Sequence, residues 1–287
     1  MGKESYRFAD SKGFLDAHKT SLSALQYDLL LAVVSNHALD GRFASEDNIA
    51  DLIALLKGAR VENLIAKDLQ GFAESMPRNY LIIMGKLFAG KPDSFTQDLL
   101  HQSPLCPSTL MELHVKETAL STKRELLLRI SGKLRGALDY ALLKEIHKAM
   151  FVDVYRFAGL DRYDMELMGQ FGRDDVQFCM GALLPKESRI LFGMLRNEQN
   201  FANLPTAMFF DALCGFYADL ESLQPFREGN GRVIRLFVGE LAARCGYALC
   251  FDAMQKSLKP ALRAALLGDC APLRALLAAH TKALAAH

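Results

Sequence analysis

The stretch richest in chemistry in this 287-residue chain is Gln224-Pro225-Phe226-Arg227-Glu228-Gly229-Asn230-Gly231-Arg232-Val233-Ile234-Arg235. It describes a helix end, a tight glycine loop and a helix start. Gly229 and Gly231 let the backbone turn sharply and leave no side chain in the way of a ligand. The N–H groups opening the next helix, with that helix's dipole, would point into the loop and suit a phosphate. Arg232 and Arg235 lie three apart on that helix, so both guanidinium forks can face one anion. Glu228 offers a hard carboxylate oxygen fit for Mg²⁺ bridging phosphates. A glycine pair alone would read as an ordinary turn with exposed arginines. The acid, Gly-Asn-Gly and two spaced arginines between apolar helices read instead as a nucleotide-phosphate cradle.

Helices must position this loop. Phe209, Leu213, Phe216, Leu220 and Leu223 mark an amphipathic helix that has to end at Pro225, because proline lacks the N–H donor and crowds the preceding turn. A second apolar helix begins after Gly231 and runs through Ile234, Leu236, Phe237, Val238 and Leu241. Upstream, Leu22, Leu25, Leu29, Ala32 and Val33 recur at helical spacing. Ser45 opens another helix striped by Ile49, Leu52, Ile53 and Leu56, with Gly58 as its stop. Gly90 to Pro107, with three prolines, reads as loop-rich and as a candidate boundary, and Lys123 to His147 as helical, with Leu126, Ile130, Leu134, Leu138, Leu142 and Ile146 at strict fours. Residues 159–187 are irregular, and their short apolar piece Val176-Gln177-Phe178-Cys179-Met180 suits an extended flap. The tail from Ser257 is helical, broken once around Gly268 to Pro272. The expected fold class is all-α: a helical core over residues 116–287 with a short extended flap, preceded by an N-terminal helical region over 1–115 of unassigned role.

Composition sets the outer bounds. An apolar fraction of 51% with 23% charged residues describes a folded chain. Lys+Arg 34 against Asp+Glu 33 gives a net charge of +1, which argues against a dominant nucleic-acid or anionic-membrane surface. Cys106, Cys179, Cys214, Cys245, Cys250 and Cys270 form no CxxC pair and have no histidine at zinc-finger spacing; scattered thiols read as core packing in a reducing cytosol. The N-terminal residues carry neither a signal-peptide apolar core nor the myristoylation pattern, and Leu29 to Val34 and Tyr80 to Met84 are too short to span a bilayer. The expectation is a soluble, cytoplasmic protein, with non-classical secretion as an effector left open.

Residues 224–235 resemble the signature of the Fic (Fido) family, HPFx(D/E)GNGRxxR, matching every specified position but the first. Ile146-His147-Lys148-Ala149-Met150-Phe151, followed by Asp153-Val154-Tyr155-Arg156-Phe157-Ala158-Gly159, resembles the family's segment upstream of the flap. Gly268-Asp269 with Pro272-Leu273 is similar to its closing helices, so the resemblance covers residues 123–277. It implies an all-α core that binds ATP with Mg²⁺ and transfers AMP to a hydroxyl-bearing side chain of a target protein. On the matching positions, Glu228 would hold Mg²⁺, Gly229, Asn230 and Gly231 would form the anion hole, and Arg232 and Arg235 would grip the phosphates. Phe226 would anchor the loop. Val176, Gln177, Phe178, Cys179 and Met180 would form the flap that aligns the target by strand-like pairing.

The departure falls at Gln224, where the family places the histidine that takes the proton from the attacking hydroxyl. A carboxamide cannot accept a proton near neutral pH, and losing such a base costs about 10²–10⁴ in rate. Three readings follow: an impaired adenylyltransferase, an inactive nucleotide-binding module with a regulatory or interaction role, or an engineered glutamine in an otherwise active enzyme. His147, among Ile146, Met150 and Phe151, reads as a satisfied packing residue rather than a substitute base, and nothing places His101 or His114 near the cradle. Many Fic proteins carry an inhibitory (S/T)xxxE(G/N) helix. Ser108 to Glu112 and Ser121 to Glu125 approach it, but each is followed by leucine, and Glu112 also fits a plain helix N-terminus. A separate antitoxin-like partner is the other route by which the resemblance would allow inhibition.

Overall fold

Helices account for most of residues 7–74, 94–173 and 175–284, which the computed structural model describes. The chain divides into two units, Met1–Gly132 with Ala149–Ala158, and Lys133–Lys148 with Gly159–His287. The first unit carries α1 (Phe8–Asp16), α2 (Ala24–Ala38), α3 (Glu46–Leu56), α4 (Val61–Glu74), α5 (Ser94–His101) and α6 (Leu110–Ile130). Ser45 caps α3 as its sequence predicts, its hydroxyl accepting the Asn48 N–H at 3.2 Å, and Gly58 follows at φ +97°. In α2 the buried face is Tyr27, Leu30, Val33 and Val34, whereas Leu25 is 80% exposed. The expected stripe is therefore turned around the helix, since a five-residue apolar pattern leaves its phase free.

Long helix α6 packs against α2, α3, α4 and α5 and buries charge as well as leucine. Lys123 lies between Asp68 (2.6 Å) and Asp51 (3.1 Å), and Glu125 takes His37 (3.1 Å), Asn36 (2.8 Å) and Arg129 (2.6 Å). Inward charges of this kind leave α6 without a purely apolar buried stripe.

Two expectations are corrected. The apolar residues at strict fours from Leu126 to Ile146 do not form one helix: α6 ends at Ile130, Gly132 adopts φ +72°, and α7 starts afresh at Tyr140 and runs to Phe151. A spacing of four drifts against the 3.6-residue turn, so such a run cannot keep one face. The proline-rich stretch contains α5 at Ser94–His101 before the turns at Ser103–Pro107. Residues 90–93 and the Tyr80–Met84 run lie outside the described residues.

The second unit centres on α9 (Thr206–Leu223), which packs against α8 (Leu184–Asn197), α10 (Asn230–Arg244), α11 (Leu258–Leu266) and α12 (Ala271–Ala279). Phe192 sits edge-on to Phe216 and Phe237, with centroids 5.9 and 5.5 Å away, joining α8, α9 and α10 in one aromatic core. Strands β1 (Phe171–Arg173) and β2 (Val176–Phe178) form an antiparallel hairpin with Phe171 opposite Phe178, so the apolar piece is indeed extended. Strands β3 (Tyr247–Leu249) and β4 (Thr281–Ala283) pair likewise. All six cysteines are free thiols, and among the described residues no helix is long and apolar enough to cross a membrane.

Candidate functional site

Helix α9 stops at Leu223 because Pro225 cannot continue it, and Gln224 takes up a left-handed backbone at φ 38°, ψ 60°. The chain then turns through Phe226 to Glu228, and Gly229 at φ 83° delivers it into α10. The N-cap residue Gly229 has no side chain to cap α10, and the first N–H groups of that helix face the loop with the positive end of the helix dipole.

Within this turn each side chain has a distinct job. Phe226 is fully buried and stacks on the His147 ring, with centroids 3.9 Å apart at 10°. Asn230 accepts the Phe226 N–H with Oδ1 (2.8 Å) and donates from Nδ2 to the Phe226 carbonyl (2.7 Å). Its carboxamide is thus committed to the loop itself, leaving the backbone N–H as the group it can offer an anion. Arg232 and Arg235 are buried, and Arg232 Nη2 lies 3.5 Å from Glu228 Oε1. Gln224 donates from Nε2 to the buried Glu221 carboxylate at 2.7 Å.

The flap joins the same region through its main chain. Cys179, directly after β2, donates its N–H to the Ser222 carbonyl near the end of α9 at 2.9 Å. Burial pushes its thiol pKa up. Gly181 follows, and an added Cβ there would come within 1.9 Å of the Leu167 carbonyl oxygen.

His147 reaches the loop from α7. It accepts the Gly159 N–H at Nδ1 (2.8 Å), which leaves Nε2 to donate to the Glu228 carbonyl at 3.1 Å. The ring is satisfied on both nitrogens, as its sequence neighbours suggest, but what it packs and bonds is the motif loop. Glu221, the partner of Gln224, carried no signal in the sequence beyond lying three residues upstream on a helix.

Glu112 lies in the first unit, in the opening turn of α6. There it accepts the Ser108 N–H (2.7 Å) and pairs with Lys116 (2.7 Å), while Thr109 caps the helix. Glu125 is the buried member of the cluster described above. His101 ends α5 and His114 lies in α6. A cleft of about 690 Å³ in the second unit, lined by Tyr140, Lys144, Asp161, Arg189, Phe192 and Arg196 among others, includes no residue of the 224–235 motif.

Comparison with known proteins gives this geometry its context. Residues 137–242 match the Fic/DOC family. The probable protein adenylyltransferase y4lH of Sinorhizobium fredii is 31% identical over 142 residues, covering 49% of this chain and 71% of that protein. Protein adenylyltransferase VbhT of Bartonella schoenbuchensis is 32% identical over 43% of this chain, which spans only 25% of its length. The N-terminal Fic domain of a Bartonella quintana effector, solved with bound ADP, shares the fold at TM-score 0.55 and 22% identity, over 62% of this chain and 88% of that one. The chain belongs to the Fic/DOC family.

Proposed function

We propose that the chain binds ATP with Mg²⁺ at the 224–235 loop and transfers AMP to a hydroxyl of a target protein, with the transfer step slowed by Gln224. The observation that carries this reading is the α9–loop–α10 turn, where Gly229 opens α10 without a side-chain cap and the buried Arg232 lies 3.5 Å from Glu228, with Arg235 buried three residues further along the helix. Naming of relatives as adenylyltransferases, and ADP bound in a protein of the same fold, support it. Glu228, a carboxylate 24% exposed, is the donor that fits Mg²⁺; among the described residues no cluster of three or more acidic, histidine or cysteine ligands stands ready for a metal, so the nucleotide's phosphates would complete the shell. When bound, Mg²⁺ neutralises phosphate charge.

In this reading Arg232, Arg235 and the α10 N-terminus hold the phosphates, and the flap main chain lines up the target segment. The hydroxyl oxygen bonds to the α-phosphorus as the bond to the departing pyrophosphate breaks. The hydroxyl proton then needs an acceptor, and the Gln224 carboxamide cannot be one. Gln224→His is expected to raise transfer from α-labelled ATP onto lysate proteins by about 10²–10⁴. Absence of labelling by both the native chain and the variant would defeat the transfer assignment.

The hydrogen bond from Gln224 to Glu221 favours a second reading, a nucleotide-binding regulatory module, because it holds the carboxamide in a fixed, non-basic role. Labelling by the native chain would remove that reading; ATP–Mg²⁺ binding without labelling would support it.

A further inference from the structure

Arg162 lies outside the motif, yet it touches both the flap and the loop. Its backbone N–H donates to the Pro225 carbonyl at 2.7 Å, its Nε to the Gln224 carbonyl at 2.9 Å, and its Nη2 to the Leu223 carbonyl at 3.0 Å. The same Nη2 donates to the Cys179 carbonyl at 2.5 Å, and the guanidinium carbon stands 4.7 Å from the centre of the Phe171 ring in β1. The side chain is buried, 2% exposed.

Three features make this more than packing. Helix α9 must leave its last carbonyls without ladder partners, and Arg162 supplies donors to the last of them, Leu223, and to the two carbonyls that follow it, those of Gln224 and Pro225. Gln224 sits in a left-handed conformation, which a non-glycine residue keeps only where its surroundings over-determine it. Both backbone groups of Cys179 are spent on this junction, the N–H on Ser222 and the C=O on Arg162. Arg162 is itself held in place through its neighbour: Asp161 accepts from Tyr140 Oη (2.9 Å), Lys144 Nζ (3.3 Å) and the Asp164 N–H (2.8 Å).

We infer that Arg162 is a positioning residue that locks the end of the flap to the end of α9, so that the flap main chain and the side chain at position 224 are set in one fixed register. A planar guanidinium with five donors can serve the Leu223, Gln224 and Cys179 carbonyls at once; the tetrahedral ammonium of lysine, on a flexible stem, cannot, although it would keep the backbone N–H that reaches Pro225. What the register serves, alignment of a target hydroxyl against the bound nucleotide, rests on the function proposed above. The lock itself does not.

The test uses the full chain carrying Arg162→Lys or Arg162→Met, each also combined with Gln224→His. Amide hydrogen exchange is expected to rise about tenfold together in residues 176–180 and 222–228, from loss of a charge-assisted hydrogen bond, with the centre of α10 unchanged within twofold. Arg162→Lys keeps the charge and stem and serves if the methionine variant fails to fold. A uniform rise across the second unit, a rise in only one of the two segments, or no rise would each overturn the inference. In the Gln224→His background, Arg162→Lys is expected to lower kcat for AMP transfer at least tenfold with KM for ATP within twofold; a change in KM alone would place Arg162 with the nucleotide and overturn the positioning role. Should Gln224→His show no transfer at all, the functional reading falls while hydrogen exchange still decides the lock.

Discussion

His147 shows how much a single side chain can decide. Both of its ring nitrogens are engaged, Nδ1 accepting from Gly159 and Nε2 donating to Glu228. His147→Phe would keep the stack on Phe226 but strand the Gly159 N–H and the Glu228 carbonyl, costing about 1–3 kcal/mol of stability by urea unfolding. His147→Ala would lose the stack as well and should be worse; a phenylalanine variant as stable as the native chain would show that the hydrogen bonds contribute nothing. Arg235 makes the other residue-scale prediction. If it grips phosphate, Arg235→Ala should weaken ATP–Mg²⁺ binding about 10–100-fold by calorimetry, the worth of a charge-assisted hydrogen bond. Equal binding would remove the phosphate assignment from α10.

At the scale of elements, the flap is defined less by its strands than by how it is fastened. Its three-residue pairing is too short to hold itself, so the contacts after β2 matter more. Gly181 occupies a point where the chain passes directly over the Leu167 carbonyl. Gly181→Ala must push those backbones apart, with an expected loss of about 1–3 kcal/mol. It should also raise hydrogen exchange across β1 and β2 with little effect at α12. Gly193→Ala is the control: nothing lies within 4 Å of an added Cβ there, and the residue sits inside α8, so alanine should be neutral or stabilising in thermal melts. If both variants behave alike, the close approach at Gly181 is not what fixes the flap base.

The whole molecule carries near-balanced charge, and much of it is used internally. Burial pushes the Glu125 carboxyl up, but Arg129 and His37 outweigh it and hold its pKa below the usual carboxylate range. Asp164 is likewise pulled down, with burial opposed by Lys144. A carboxylate with a depressed folded-state pKa adds stability above its unfolded value, and that stability is lost as pH falls through the folded value. Burial raises Asp68 and Asp219, which act in the opposite sense. Glu125→Gln should therefore cost about 3–5 kcal/mol at pH 7 and flatten the fall in Tm below about pH 4. An unchanged Tm at pH 7 would mean that the buried cluster on α6 is energetically neutral.

How much of this was legible beforehand differs by feature. The turn from α9 to α10 was written in local chemistry: Pro225 ends one helix, and Gly229 takes the positive φ from which the next one starts. So were the Ser45 cap and the break between α11 and α12. The face of α2 that packs, the restart of the chain between α6 and α7, and the charges buried along α6 were not, because each depends on which surface another element presents. The same divide runs through the candidate site. Sequence determined which residues stand in the loop and that position 224 lacks a base, since identity and order are all those statements need. Tertiary structure alone decided that His147 braces the Glu228 carbonyl, that Glu221 holds Gln224, and that Arg162 joins flap to loop, because their partners are main-chain groups or lie on helical turns whose pairing no motif spells out. A backbone carbonyl has no residue type to recognise, so its partners appear only when the chain is folded.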